Sequence, residues 1–409
     1  DVPETLADSG ILRILVRALA NSWLRPQSFA EACEPRLCVG RSVGDFEAMV
    51  LGCGLVTRCV ASHPSCVAVC ANAGLERALV RTLHPSGWGA VPTLSTWRGD
   101  HSVTLQNDAD ALLQALVSAG GFAEGDSGDS LAAGLLKLVR ARASPPRLPH
   151  ALRTLALLAP RAERIMRELG ALTSGVDLVE SGDELASGAL EMLIAMANAS
   201  EKSVLALCSM EVVPRLLSAL EPMPPSICTD TEAVETDAAG VGALRHQSTE
   251  ELGIALLRVE LLVAIASVRS GSAVALETVA RDVLERDGVM RVLTLLEMWP
   301  RWLRICGTGL LAEWLHHPEL RDTFCEARVS LSSRSRLTKA ATGEVVPALA
   351  LILRLWATDP QARIATMLSL PKHATRPMLS PADDLMGRKV FSLLMVLRRS
   401  ATVLPQLAD

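Results

Sequence analysis

The chain has 409 residues, a formal net charge of −5 and a hydrophobic fraction of 49%. This length excludes a single compact core, since cores stop growing near ~250–300 residues, so the chain forms several domains or an elongated stack. The weak negative charge gives no global field that favours nucleic acid, and any basic site must be local.

The first predicted helix carries a pattern that recurs along the chain. Gly10 and Gly74 each open the frame Gly-x-x-Arg-x-Leu-Val-Arg-x-Leu, and partial copies follow at Val212 and Gly288. The arginines at the two positions of this frame are Arg13, Arg17, Arg77, Arg81, Arg215 and Arg291. Most copies also contain a second apolar helix, a break of small residues and a short third helix, as in Leu152–Leu158 followed by Ala162–Leu169.

Apolar residues at i, i+3, i+4 and i+7 predict the buried faces of these helices. In the first helix this face consists of Ile11, Ile14, Leu15 and Ala18. Two more faces with this spacing follow one another in residues 186–221. They consist of Leu190, Leu193, Ile194 and Ala197, and of Val213, Leu216, Leu217 and Leu220. Such helices cannot bury their faces alone, so neighbouring copies must cover them.

Four stretches interrupt the repeated pattern and are predicted to be loops. They are His84–Leu105, Gly120–Ser130, Glu221–Glu251 and Arg328–Gly343. The third is rich in carboxylates and proline, which is typical of a mobile acidic loop. We expect the repeats to occupy residues 1–370 and a C-terminal helical cap to occupy residues 371–409.

The three-part unit of about forty residues resembles the armadillo-repeat family. In that family a glycine opens the longest, groove-lining helix. The matching residues here are Gly10, Gly74, Gly170 and Gly288, with Leu15, Leu79 and Leu293 later in the helix. The resemblance implies an all-α, armadillo-like right-handed solenoid with a concave peptide-binding groove and irregular loop insertions. No strands beyond trivial ones are expected.

The residues that could carry chemistry do not form a catalytic site. Gly125–Gly128 matches the nucleophile loop of chymotrypsin-like proteases, but its flanks are helical and no β-barrel surrounds it. Zinc-type side chains also cluster within twelve positions, at Cys59, His63, Cys66 and Cys70. Since Pro64 breaks the helix and no second ligand pair follows, buried thiols are the favoured interpretation. We therefore predict no catalytic residue, no cofactor and no metal, and a protein that is not an enzyme.

The sequence predicts a non-catalytic scaffold that binds other proteins through the surface of a helical solenoid. The six arginines are candidate groove residues for acidic extended segments, and the alternative is that each one only covers a solvated helix face. A different alternative function is a permanent structural subunit of a large cytoskeletal, ciliary or organellar assembly. An RNA-binding helical repeat is disfavoured because it needs a regular code of two residues per repeat. As a scaffold or a subunit, the chain belongs to a larger complex.

Cysteine usage and hydropathy bear on the compartment. The ten cysteines are scattered and form no dense disulfide framework, which favours a reducing intracellular location, cytoplasmic or cytoskeletal. A mitochondrial location is the alternative, because the chain starts at Asp1 without the methionine that a complete N-terminus would show. No apolar run reaches the ~20 residues of a membrane-spanning helix.

Overall fold

The computed structural model describes residues 5, 10–19, 43–63, 65–76, 79, 99–122, 127–142, 147–181, 185–221, 241–267, 273–331, 344–357 and 381–398. They belong to two compact units, Asp1–Ala199 and Ser200–Asp409. None of the described helices has both the length and the apolarity that crossing a membrane requires.

The first unit is helical throughout its described part. Its helices are α1 (Ile11–Ala18), α2 (Val43–Ser62), α3 (Ser65–Asn72), α4 (Gly99–Ser118), α5 (Ser127–Ala141), α6 (Leu148–Glu168), α7 (Ala171–Ser181) and α8 (Ala186–Ala199). In the core, α4 packs between α2 and α6, and α6 also contacts α5, α7 and α8.

The described part of the second unit contains nine helices and one short strand pair. The helices are α9 (Glu201–Ser209), α10 (Val212–Ser218), α11 (Val241–Ala266), α12 (Ala273–Glu285), α13 (Gly288–Met298), α14 (Arg301–Trp314), α15 (Pro318–Glu326), α16 (Ala348–Ala357) and α17 (Pro381–Leu397). The strands β1 (Arg328–Ser330) and β2 (Val345–Pro347) pair antiparallel, with Val329 opposite Val346. Both of these valines are buried, and the strand pair packs against α13 and α16.

In the second unit the described helices fall into the groups α9–α11, α12–α14 and α15–α17, and the first and the third helices of successive groups pack against one another. Helix α12 packs between α9 and α15, and α14 packs between α11 and α17. Each group thus covers the apolar face of the next, which is how helical repeats build a continuous core. The predicted all-α, repeat-like fold is confirmed.

A left-handed turn precedes the middle helix in most copies of the repeat. Five residues occupy this position with positive φ: Gly10 (74°), Gly74 (79°), Gly170 (73°), Glu211 (56°) and Asp287 (51°). In the last four copies two residues separate the preceding helix from the next one, so a single left-handed residue completes the reversal. Glycine suits this position because it has no Cβ to clash in that conformation. The equivalent of Gly10 in α13 is therefore Asp287, and the sequence alignment on Gly288 was wrong by one residue.

The apolar spacing predicted two of the three buried faces correctly. Every predicted face residue of α10 is buried, and in α8 only Ile194 is partly exposed. The predicted face of α1 is wrong, because Leu12, Val16 and Leu19 are buried while Ile11 and Ile14 are 53% and 72% exposed.

Parts of three predicted loops are helical. Residues 99–105 belong to α4, residues 127–130 to α5 and residues 241–251 to α11. The predicted break between Leu152–Leu158 and Ala162–Leu169 is also absent, because α6 continues through Pro160. A proline inside a helix removes one backbone hydrogen bond, but it does not end this helix. Residues 84–98, 123–126, 222–240 and 332–343 of the predicted loops lie outside the described residues.

A buried ion pair joins α4 to the start of α6. Arg147 donates from Nε to Oδ2 of Asp110 at 2.9 Å and from Nη2 to Oδ1 at 2.7 Å. Both side chains are at least nine-tenths buried, and two parallel bonds are the strongest geometry that Arg and a carboxylate can form. Neither charge has enough contact with water to be solvated if its partner is removed.

We expect replacement of Glu211 with glycine to stabilise the second unit by ~0.5–1 kcal/mol. The left-handed conformation costs a side-chain-bearing residue ~1–2 kcal/mol, and the greater freedom of glycine in the unfolded chain returns part of that gain. The urea midpoint measures the change. As a matched control, Glu201→Gly in the first turn of α9 removes a helix former and should lower the midpoint. A lower midpoint for Glu211→Gly would contradict the role assigned to this turn.

We expect Asp110→Ala to destabilise the first unit by ~3–5 kcal/mol, because it leaves the Arg147 guanidinium buried without its carboxylate. The double variant Asp110→Ala/Arg147→Met should recover much of this loss, since it removes the uncompensated charge. The control is Glu168→Ala, which disrupts an exposed pair with Arg164 at 4.0 Å and should change stability by less than ~1 kcal/mol. Equal effects of Asp110→Ala and Glu168→Ala would refute the assignment.

Candidate functional site

The predicted arginines do not occupy one equivalent helix position. Arg13 is the third residue of α1, whereas Arg215 and Arg291 are the fourth residues of α10 and α13. One residue corresponds to a rotation of about 100° around a helix. Arg13 therefore lies on a different face of its helix from Arg215 and Arg291, measured from the left-handed residue that precedes each helix. Arg77 and Arg81 lie outside the described residues.

Arg291 of α13 contacts the end of α10, the middle helix of the preceding group in the same unit. Its Nη2 donates to the carbonyl oxygens of Ser218 at 3.1 Å and Leu220 at 3.0 Å, where α10 ends. The last carbonyls of a helix have no partner within the helix and carry partial negative charge, so a guanidinium is favourable there. Arg291 thus has a structural contact, although its side chain remains exposed on α13.

Two more side chains bond to the carbonyls at the end of α10, and we call this set of hydrogen bonds the α10 cap. Arg258 of α11 donates from Nη1 to the carbonyl oxygen of Ala219 at 3.1 Å, and Trp299 donates from Nε1 to that of Glu221 at 3.2 Å. Burial lowers the pKa of the Arg258 guanidinium, and the nearby Glu221 carboxylate opposes this shift. The chain that leaves α10 is therefore fixed at four consecutive carbonyls by side chains of α11, of α13 and of the residue directly after α13.

The same use of arginine recurs at other helix ends. Arg140 donates to the carbonyl oxygen of Leu169 after α6, and Arg304 donates to that of Leu296 in α13 at 3.1 Å. At the end of α4, Arg161 donates to the carbonyl oxygen of Gly121 at 3.2 Å, while Glu76 accepts from the N–H of Phe122 at 2.8 Å. Sequence analysis missed these roles because most partners lie tens of residues away along the chain.

The outer face of α1 carries two of the predicted site residues. Arg13 and Arg17 are exposed, and so are Ile11 and Ile14 between and beside them. This helix contains no carboxylate. It therefore presents two cations and two apolar side chains to solvent on one short surface, which we call the α1 face. Arg215 is likewise exposed on α10 in the second unit.

The cysteines of the predicted zinc-type cluster are buried thiols, as the sequence indicated. Cys59, Cys66 and Cys70 are at most 2% exposed, and burial raises the pKa of all three. For Cys70 the pKa rises to about 12, because burial and then the neighbouring thiol of Cys66 disfavour the thiolate. The Nδ1 atom of His63 instead lies 2.7 Å from the Ser65 hydroxyl. Within the described ranges, no three His, Cys, Asp or Glu side chains are arranged to hold a metal ion.

The fold of the chain is similar to that of two solved structures of Uso1. One aligns with a TM-score of 0.55 at 11% identity over 96% of this chain, and the other with 0.52 at 12% identity over 99%. The chain spans 57% of the length of each Uso1 chain. An engineered protein aligns with a TM-score of 0.46 at 17% identity, covering 74% of this chain and 96% of its own. No protein-family model and no curated protein sequence matches. The likeness to Uso1 shows a helical, repeat-like fold.

Thiol reactivity should follow burial. The thiolate is the reactive form, and a pKa near 12 reduces its population near pH 8 by about a thousandfold relative to an ordinary thiol. We expect Cys53 and Cys70, both with a pKa of about 12, to resist iodoacetamide in the folded protein. The half-buried Cys325 serves as the internal control and should be labelled before Cys53 and Cys70. Site-resolved mass spectrometry measures the rates, and equal labelling of Cys70 and Cys325 would contradict this assignment.

Proposed function

We propose that the chain is a non-catalytic scaffold, built as an armadillo-like right-handed solenoid, that binds acidic segments of other proteins. The repeat-like stacking of its helices supports this proposal, because such folds offer long surfaces on which partners can lie. The α1 face is the observation that carries it. Within Ile11–Ala18, exposed isoleucines and arginines with no carboxylate among them are typical of a surface that a partner covers.

The spacing of the α1 face indicates the chemistry of the partner. Arg13 and Arg17 are four residues apart on one helix, so their Cβ atoms are ~6 Å apart. In an extended peptide, side chains on the same side repeat every ~6.6 Å. Carboxylates at positions i and i+2 of an extended segment therefore match the two guanidinium groups. Arginine suits this role because its planar fork binds a carboxylate through two parallel bonds.

The proposal is tested with fluorescein-labelled peptides and the full chain. One peptide carries Glu-x-Glu repeats with interspersed leucines, and two comparison peptides replace Glu by Gln or by Lys. Fluorescence anisotropy at two salt concentrations measures binding. An exposed pair contributes ~0.2–1 kcal/mol, so we expect modest affinity for the Glu peptide, falling as salt increases. We expect Arg13→Glu/Arg17→Glu to reduce this affinity by about fivefold or more.

Two control variants test whether a loss of binding comes from the change in net charge or from a loss of stability. Arg281→Glu/Arg286→Glu makes the same change in net charge on an exposed, mixed-charge part of the second unit and should leave binding unchanged. Arg291→Ala should lower the urea midpoint through loss of the α10 cap while the Glu peptide still binds. Equal binding of the Glu and Gln peptides by the unaltered protein would refute the proposal.

The alternative function, a permanent subunit of a larger assembly, is favoured by one further observation. Leu51 and Leu55 lie on one face of α2 and are 72% and 42% exposed. Side chains of this size at i and i+4 are typical of a face that is covered in an assembly. Sedimentation distinguishes the two functions: a scaffold remains monodisperse alone, whereas a subunit aggregates and Leu51→Ser/Leu55→Ser restores solubility.

We infer an intracellular location, cytoplasmic or cytoskeletal, with mitochondrial as the alternative. The support is that Cys53, Cys59, Cys66, Cys70 and Cys208 are buried free thiols. Free buried thiols are typical of reducing compartments.

A further inference from the structure

Two hydroxyl side chains occupy the same position on two helices of the second unit. Ser218 and Thr294 are the seventh residues of α10 and α13, and each follows an arginine by three residues. Both side chains are exposed. Ser218 donates from Oγ to the carbonyl oxygen of Pro214 at 2.9 Å. Thr294 donates from Oγ1 to the carbonyl oxygen of Met290 at 2.9 Å. The two hydroxyls therefore share one local geometry and can be compared directly.

Ser218 also has an arginine of another helix beside it. The Nη2 atom of Arg291, on α13, donates to the carbonyl oxygens of Ser218 and Leu220, so this guanidinium lies directly at the end of α10. A guanidinium carries five N–H groups, and these bonds use only those on Nη2. Within the described residues, the N–H groups on Nε and Nη1 of Arg291 make no hydrogen bond. They can therefore bond to an anion that is added at Ser218.

The charges at the end of α10 accommodate such an anion. A phosphate near the C-terminal end of a helix is ordinarily unfavourable, because the helix dipole places partial negative charge on the last carbonyls. Here the guanidinium groups of Arg258 and Arg291 already compensate that charge. The Glu221 carboxylate lies close to Arg258 and interacts with its charge. Arg291 is therefore the arginine of this pair that is best placed to hold a further anion.

We propose that Ser218 is a phosphorylation site for a basophilic serine/threonine kinase and that Arg291 holds the phosphate. Basophilic kinases select the pattern Arg-x-x-Ser, which Arg215 and Ser218 form here. In the reaction the Ser218 oxygen attacks the γ-phosphorus of ATP, the bond between that phosphorus and ADP breaks, and the hydroxyl proton passes to the kinase. The resulting phosphate carries about −1.5 to −2 charges and three acceptor oxygens, to which the remaining N–H groups of Arg291 donate.

The position of Ser218 at a helix end suits access by a kinase. Ser218 is the last residue of α10, whereas Thr294 lies within α13, which continues to Met298. Only the last turn of α10 has to open for Ser218 to enter an active site, and helix ends open more readily than helix interiors. Recognition does not need Arg215 to be unpaired, because an exposed contact of an arginine is weak enough for a carboxylate of the kinase to replace it. This site is separate from the α1 face and does not depend on the function proposed for it.

The first test treats the full chain with ATP and a kinase of this class, and site-resolved mass spectrometry measures the phosphate on each residue. We expect phosphate on Ser218 to accumulate faster than on Thr294, by about fivefold or more, because Ser218 lies at a helix end. Arg215→Ala should slow the reaction at Ser218 and leave Thr294 unchanged, since the arginine three residues before Thr294 is Arg291. An absence of phosphate on Ser218 in the unaltered chain would overturn the proposal.

The second test measures the contact between the phosphate and Arg291. A phosphorus NMR titration gives the pKa of the phosphate on Ser218 in the full chain and in a short phosphopeptide of the same sequence. We expect the pKa to be lower in the full chain by ~0.5 or more, because a nearby cation favours the dianion. Arg291→Ala should remove this difference, while Arg291→Lys should retain part of it.

A matched control separates this contact from net charge and from misfolding. Arg281→Ala removes the same charge from the exposed surface of α12 and should leave the phosphate pKa lowered. Circular dichroism checks that each variant remains folded, and Arg291→Lys keeps the test decisive if Arg291→Ala unfolds. An equal phosphate pKa in the unaltered chain and in the phosphopeptide would overturn the assignment of Arg291, and so would an equal pKa in the unaltered chain and in a folded Arg291→Ala variant.

Discussion

Reversal of the chain at a single left-handed residue is the constraint on which the repeated architecture depends. In four copies two residues separate the end of one helix from the start of the next, so the second of them must adopt positive φ. With so short a turn, the second helix cannot rotate freely about the first. The buried positions therefore recur at fixed distances from the left-handed residue, as with Leu12 and Val16 after Gly10 and with Val289 and Leu293 after Asp287.

The short turns also leave backbone carbonyls at the helix ends without helical partners, and arginine side chains bond to them. The last carbonyls of each helix lose their helical partners at a place where the neighbouring helices limit access of water. Guanidinium groups from adjacent helices reach these carbonyls, as Arg291 and Arg258 do after α10. Arg is better suited than Lys, because its several N–H groups can bond to successive carbonyls while its charge complements the helix dipole. Some of the chain's arginines therefore stabilise the turns between helices.

The sequence predicted those features that depend on neighbouring residues. The predicted faces of α8 and α10 are buried because both helices carry few polar residues and lie within the core. In α1 the apolar residues, among them Ile11, Leu12, Ile14 and Val16, cover more than half of the helix circumference, so periodicity could not select the part that is buried. The helical ends of three predicted loops were missed for a related reason. Glycine and carboxylates there suggested loops, whereas packing against the rest of the core stabilises helix despite weak local propensity.

The predicted arginines likewise show what a local motif can predict and what depends on distant parts of the chain. A shared motif identified Arg13 and Arg291 as equivalent, because both follow a glycine by three residues. The backbone separates them, since Gly10 itself is the left-handed residue whereas Asp287, and not Gly288, is the left-handed residue before α13. A shift of one position turns the side chain by about 100°. In α13 the shifted arginine reaches the carbonyls after α10, whereas in α1 the unshifted one lies beside the exposed Ile14. Position relative to the turn, and not the motif alone, therefore distinguishes Arg291, which caps the end of α10, from Arg13, which lies exposed on α1.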